Sequence, residues 1–289
     1  MDFQQKYDGY KKLVENFLEQ RTRKKGISKV DEAMCYSLSA GGKRLRPVLL
    51  MATAEVLGKK GYNYLPVAGA LEMIHTYSLI HDDLPCMDDD DLRRGKPTCH
   101  KVYGEAMAVL AGDGLLTLAF EVMLEQKNVP GDVLVEVARE IAMCAGNFGM
   151  VGGQALDLAA EGKTLTAEEM RTLHSGKTGA MFIAAVRSGA RLAGAKPEQL
   201  LALTKFADLF GLAFQIRDDI LDVEATTVEL GKPAGSDEKN NKCTYVTLYG
   251  EEGAKALLDK TLAEAKMCLE MFGEDARLLS EIADMLKMA

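Results

Sequence analysis

No two cysteines in the 289-residue chain are spaced as CxxC. The six that occur, Cys35, Cys86, Cys99, Cys144, Cys243 and Cys268, are scattered, which disfavours a structural zinc site and a compact disulfide framework and fits reduced thiols in the cytoplasm. Excess positive charge is also missing. The 35 Lys and Arg face 43 Asp and Glu, a net charge of -8, so there is no general electrostatic reason to bind nucleic acid or an anionic membrane, and any basic site must be local. The N-terminal MDFQQKYDGYKK lacks the basic start and apolar run of a secretory signal, so export is not expected. The most apolar long stretch, Ala106 to Phe120, is broken by Asp113 and two glycines and falls short of the ~20 apolar residues of a membrane span. Alternating β patterns are nearly absent, and no repeat of solenoid period is found.

What is present is a globular composition, 47% hydrophobic and 27% charged, that can bury a sizeable core. Apolar residues recur with helical period: Leu13, Val14, Phe17 and Leu18 mark one early face, and Leu201, Leu203, Phe206, Leu209, Phe210 and Phe214 mark a later one. Thr166 followed by Glu169 is a capping-box signal, and Pro197 suits the first turn of another helix. The chain therefore reads as all-α and as one domain over residues 1–289. Breaks fall at Gly41-Gly42, Gly58 to Gly61, Leu92 to Pro97, Asn128 to Gly131 and Gly162 to Leu165. The one long break, residues 224–242, lacks apolar periodicity and reads as a mobile flap.

Two acidic clusters carry most of the chemical information. His81 to Asp91 holds six carboxylates in eleven positions, a crowding that is costly unless cations neutralise it. On an unbroken helix Asp82 and Asp88 would sit about 120° apart. Pro85 ends the helix near Asp83 and lets a loop return Asp88 toward Asp82, so a two-carboxylate metal cradle becomes possible. In the second cluster, Asp218-Asp219-Ile220-Leu221-Asp222, the first and last carboxylates lie about 40° apart on one helical face, which Gln215 joins. Such pairs suit Mg2+, whose shell is completed by water and substrate phosphate oxygens, and two clusters point to a polyphosphate between them. Neither run has the ligand alternation of an EF-hand.

An anionic substrate also needs protein cations. Gly41-Gly42-Lys43-Arg44-Leu45-Arg46-Pro47 and Arg93-Arg94-Gly95-Lys96 set basic groups in glycine-containing turns, where backbone amides and arginine forks can approach phosphate oxygens. His75, about 20° from Asp82 on the same helical face, can point into the same cavity.

Taken together and in order, GGKRLRP, DDLPCMD followed by DDDLRRGKP, HSGKTGA, FQIRDDILD and LGKPAGSD resemble the trans-polyprenyl diphosphate synthases, in detail most like the bacterial farnesyl type. The resemblance implies an isoprenoid-synthase bundle of about ten or more helices around a central cavity. It implies a homodimeric, cytoplasmic, Mg2+-dependent prenyltransferase with three metal ions per site, Mn2+ substituting. Asp82, Asp88 and Asp218 would hold the metals, supported by Asp83, Asp89 and Asp222. Lys43, Arg46, His75 and Arg94 would bind isopentenyl diphosphate. Arg93, Lys177, Lys232 and Lys242 would hold the allylic diphosphate, with Thr178 and Gln215 facing the reacting carbon. The implied reaction is ionisation, condensation and elimination, and no Ser/His/Asp or Cys/His constellation in the sequence competes with it.

Product length in this family follows the side chains below the first acidic cluster. Tyr77 and Ser78 lie five and four residues before Asp82, and the tyrosine, about 7 Å down the helix, can close the floor at fifteen carbons. The alternative is a geranylgeranyl diphosphate synthase. Two other classes, a terpene cyclase and a catalytically silent regulatory subunit, are disfavoured by GGKRLRP and by the intact acidic clusters respectively. The C-terminal Asp284 to Ala289 is less basic than in some relatives, so closure of the site by this tail is not expected.

Overall fold

The computed structural model describes residues 2–22, 28–160, 162–163, 165–224 and 243–287. The chain is all-α, as its periodicity implies. The helices run α1 (Phe3–Thr22), α2 (Lys29–Leu38), α3 (Leu45–Val56), α4 (Leu65–Asp82), α5 (Cys99–Tyr103), α6 (Glu105–Leu124), α7 (Gly131–Ala145), α8 (Met150–Ala160), α9 (Ala167–His174), α10 (Ala180–Leu192), α11 (Pro197–Glu224), α12 (Tyr245–Met267) and α13 (Arg277–Asp284). The only sheet among the described residues is a two-residue hairpin, β1 (Leu92–Arg93) and β2 (Lys96–Pro97). That segment reads as a plain break in the sequence. Arg94 (φ 54) and Gly95 (φ 73) place two successive left-handed residues in its turn, the pattern of a type I′ hairpin.

Two helices are apolar nearly all round and form the centre. In α3 every residue except Glu55 is buried, and α4 buries Val67, Leu71, Met73, Ile74 and Ile80 among others. α4 lies between α6 and α3, and α10 packs on α3 and α11. Phe182, Phe206 and Phe210 interlock at 5.1–5.9 Å between ring centroids, and each large side chain buried in this way contributes roughly 1.5–3 kcal/mol. The capping box at Thr166 forms, and α11 starts at Pro197 as its sequence implies.

One sequence expectation is corrected, and two further features lie outside what the sequence reading covers. Leu13 and Leu201 sit 38% and 59% exposed, at the margins of their apolar stripes, because Val14, Leu18, Leu203 and Phe206 fill the core positions. A turn of π-helix at Ser175–Gly179, between α9 and α10, carries no sequence punctuation beyond its two glycines and is not anticipated. Finally, α6 and α11 are both long and apolar enough to cross a membrane by length and composition, although Ala106 to Phe120 falls short as a consecutive run. Here α6 packs along α4 and α2, and α11 along α12 and α10. All six cysteines are free thiols.

Candidate active site

The first acidic group is built by the end of α4. The helix stops at Asp82, and the chain reverses through backbone bonds from Met87 N–H to Leu84 O (2.8 Å) and from Asp88 N–H to Asp82 O (2.8 Å). The turn after Pro85 therefore brings Asp88 back to Asp82, and both residues line one cavity. Asp83 turns inward instead. It is 3% exposed and accepts two bonds from the Arg93 guanidinium, from Nε at 2.9 Å and from Nη2, which also donates to Asp90 at 3.0 Å. Burial pushes the Asp83 carboxyl up to about 6 against the pull of Arg93. Burial also weakens Arg93 as a cation, but Asp83, Asp90 and Asp82 outweigh it and leave the guanidinium more basic than usual. Arg93 is thus a charged group of fixed direction at the cavity wall.

The cationic side is made by the turn between α2 and α3 and by the hairpin. Arg94 donates through Nη1 to the Gly41 carbonyl. A Cβ on Gly42 would stand 2.5 Å from Arg94 Cζ, and Gly42 has φ 117, so only glycine admits the guanidinium there. Arg46 is 9% exposed with its guanidinium 4.6 Å from the Phe182 ring centroid, and burial lowers its pKa to about 10. Burial, followed by repulsion from Arg46, Arg94, Arg44 and Arg93, drives His75 well below its ordinary range, so the imidazole is neutral at pH 7. Lys43 is depressed first by burial and then by Arg217, while Asp218 opposes the shift.

The opposite wall joins α8, the π turn, α11 and α12. A Cβ on Gly153 of α8 would lie 2.1 Å from the Lys177 backbone nitrogen, so the π turn rests directly on α8. π turns of this kind recur at functional sites, where the extra residue re-aims side chains. Lys177 Nζ donates to Asp157 of α8 at 2.5 Å. Thr178 Oγ1 donates to Gln215 Oε1 (3.0 Å), Gln215 Nε2 donates to Asp219 Oδ1 (2.8 Å), and Asp219 Oδ2 accepts the Tyr245 N–H (2.8 Å). This chain of bonds fixes two uncharged oxygen-bearing side chains on the cavity wall.

The cavity encloses about 800 Å³, within the ~300–1,000 Å³ of small-molecule sites. Lys43, Arg46, His75, Tyr77, Ser78, Asp82, Asp88, Arg93, Arg94, Lys177, Thr178, Gln215 and Asp218 all line it. Asp83, Asp89 and Asp222 are not among its lining residues, and Asp222 is 4% exposed. Lys232 and Lys242 lie outside the described residues, as does most of segment 224–242. The sequence reading passes over Asp219, Asp157 and Glu72, which do line the cavity. The i,i+4 spacing of Gln215 and Asp219 is a local signal for the first; the other two meet their partners only through tertiary packing.

A hard divalent cation fits this donor set. The acidic residues facing the cavity at the two clusters offer only carboxylate oxygens, from Asp82, Asp88 and Asp90 on one wall and Asp218 and Asp219 on the other. Among the described residues no three His, Cys, Asp or Glu converge closely enough to hold an ion alone. This suits Mg2+, which keeps waters and takes phosphate oxygens to complete its shell.

Residues 27–282 match the family described as polyprenyl synthetase, whose members use a divalent metal. The chain is 52% identical to a farnesyl diphosphate synthase of Geobacillus stearothermophilus, covering 91% of this chain and 90% of that one. It is 46% identical to a geranylgeranyl diphosphate synthase of Cyanophora paradoxa, covering 96% and 93%. Its structure superimposes on an FPP/GFPP synthase of Zymomonas mobilis with a TM-score of 0.89 at 36% identity, covering 98% of each chain. With the match spanning both acidic clusters and both cationic turns, the chain belongs to the polyprenyl synthetase family.

Proposed function

We propose that this prenyltransferase joins isopentenyl diphosphate head to tail with dimethylallyl and then geranyl diphosphate, releasing diphosphate and (2E,6E)-farnesyl diphosphate. The observation that carries the reading is the placement of two acidic clusters, a cluster of cations and an uncharged Thr178–Gln215 pair on the walls of one cavity. Lys43, Arg46, Arg94 and neutral His75 form the isopentenyl diphosphate subsite. Arg93 and Lys177, each held by a carboxylate, take the allylic diphosphate, with Lys232 and Lys242 assigned to the same group by motif. Asp82, Asp88 and Asp218 hold Mg2+, with three ions as the family-like number and Mn2+ as a substitute; Asp83, Asp89 and Asp222 support them. When bound, these ions supply positive charge that stabilises the departing diphosphate.

The protein's own groups do the rest. Arg93 and Lys177 steady the leaving group as the allylic C–O bond breaks. Thr178 and Gln215 present neutral oxygens to the allylic cation, stabilising it through partial charge without forming a covalent bond. The isopentenyl double bond then forms the new C–C bond, and the proton lost in elimination passes to the departed diphosphate. Tyr77, 7% exposed and edge-on to His81 at 5.7 Å between centroids, is the proposed floor that stops growth at fifteen carbons. The similarity to a geranylgeranyl diphosphate synthase favours a twenty-carbon product as the second reading. We further read the chain as a single domain, a homodimer and a cytoplasmic protein.

The test incubates the protein with Mg2+, isopentenyl diphosphate and, separately, dimethylallyl, geranyl or farnesyl diphosphate, with an EDTA control, and identifies products by mass. Metal-dependent farnesyl diphosphate with little extension of added farnesyl diphosphate supports the reading. A twenty-carbon product selects the second reading, and absence of condensation points to a cyclase or a silent subunit.

A further inference from the structure

The turn that carries Lys43 and Arg46 is tied down along its length. Arg94 donates to the Gly41 carbonyl, Tyr7 of α1 donates through its hydroxyl to the Lys43 carbonyl at 2.6 Å, and Val48 N–H bonds to the Arg44 carbonyl at 3.1 Å as α3 begins. Arg44 itself sits at φ 54, a left-handed conformation that is unfavourable for any residue with a Cβ and persists only where the surroundings over-determine it. Its guanidinium provides that determination. Nη1 donates to Glu72 Oε1 at 2.7 Å and Nη2 to the Leu38 carbonyl at 2.6 Å. The two side chains of the ion pair are 2% and 1% exposed.

Of the three cations in this segment, Arg44 is the one paired with a buried carboxylate, while the Arg46 guanidinium lies over the Phe182 ring. Glu72 lies on α4, three residues before His75 and ten before Asp82, so the pair fastens the turn to the same helix that carries the proposed isopentenyl and metal groups. A buried ion pair contributes little net stability, because desolvation offsets the attraction. What it fixes is geometry.

We infer that Glu72 and Arg44 are positioning residues for the isopentenyl diphosphate subsite. By locking the left-handed turn onto α4, they hold Lys43 and Arg46 in register with His75. The allylic side has separate supports, since Arg93 is held by Asp83 and Lys177 by Asp157. Loss of the pair is thus expected to act on one substrate and spare the other. The inference rests on the assignment of the cavity made above.

The experiment compares wild type, Glu72→Gln and the double variant Arg44→Met/Glu72→Leu, measuring kcat and KM for isopentenyl and geranyl diphosphates together with circular dichroism and the thermal midpoint. Glu72→Gln leaves a buried guanidinium without its counter-charge and is the variant at risk of misfolding; the double variant removes both charges and avoids that penalty. A displacement near 1 Å at a binding group is worth up to ~10²-fold, so KM for isopentenyl diphosphate should rise roughly 10- to 100-fold while KM for geranyl diphosphate stays within about twofold. A folded double variant with unchanged KM for isopentenyl diphosphate, or equal rises in both KM values, overturns the inference. Absence of condensation by the wild type overturns the functional reading itself, and this inference with it.

Discussion

The contact between α8 and the π turn allows a quantitative test at Gly153, which is not among the residues lining the cavity. A Cβ at position 153 would stand 2.1 Å from Lys177 N, 2.6 Å from Gly176 C and 2.6 Å from Lys177 Cα, all backbone atoms with no side chain free to swing aside. Relaxing the shortest of these to an ordinary contact of 3.4 Å requires α8 and the turn to part by at least 1.3 Å. Overpacking of this kind costs about 1–3 kcal/mol of stability. The same shift displaces Lys177 and Thr178 relative to Gln215, because the turn is held between α8 and α11, and a misplacement of ~1 Å costs up to ~10²-fold in rate. Gly153→Ala is therefore expected to lower kcat/KM for the allylic substrate by roughly 10- to 100-fold while the folded state survives. Gly131→Ala is the control, because nothing lies within 4 Å of a Cβ at that position. Steady-state kinetics with geranyl diphosphate, paired with urea denaturation, reads both quantities. A Gly153→Ala protein with wild-type turnover would refute the claim that α8 sets the position of the turn.

Tyr77→Ala removes a ring that is 7% exposed at the cavity wall and is expected to shift the product toward twenty carbons; an unchanged product distribution would place length control elsewhere. His75→Gln bears on pH. Folded His75 is held neutral while the unfolded chain takes a proton below the ordinary value of 6.5, so its contribution to stability is present above that pH and lost as the pH falls below it. The wild type should lose up to about 1.4 kcal/mol per pH unit there from this one group. His75→Gln should show a correspondingly shallower decline in urea titrations between pH 6.5 and 5, and identical slopes for the two proteins would contradict the neutral assignment.

Much of the site is visible in local chemistry. Pro85 alone is enough to end α4 and return Asp88, and the bond from Asp88 N–H to Asp82 O is the physical form of that inference. The glycines of the Gly41-Gly42 turn announce a place where a side chain passes close, though the sequence does not say that it is Arg94. The second acidic cluster is harder. Helical period puts Asp218 and Asp222 on one face, yet Asp219 reaches the cavity wall, because the Tyr245 N–H from α12 and the Gln215 amide hold its two oxygens there. The ion pairs of Arg44 with Glu72 and of Lys177 with Asp157 join residues 28 and 20 positions apart, and no periodicity connects them. The π turn is hidden for a related reason: its extra residue is tolerated because α8 offers a flat glycine surface, a property of the partner helix.

Three of the side-chain-bearing residues with positive φ, Arg44 (54), Asp89 (51) and Arg94 (54), lie in the segments that border the cavity. Each carries backbone strain of roughly 1–2 kcal/mol that a glycine would relieve. A laboratory evolution campaign that rewarded heat resistance alone would be drawn toward these positions and would trade charge and aim for conformational ease. Variants recovered in that way would be sturdier proteins with a blunted grip on diphosphate, so thermal selection of this chain needs a turnover readout alongside it.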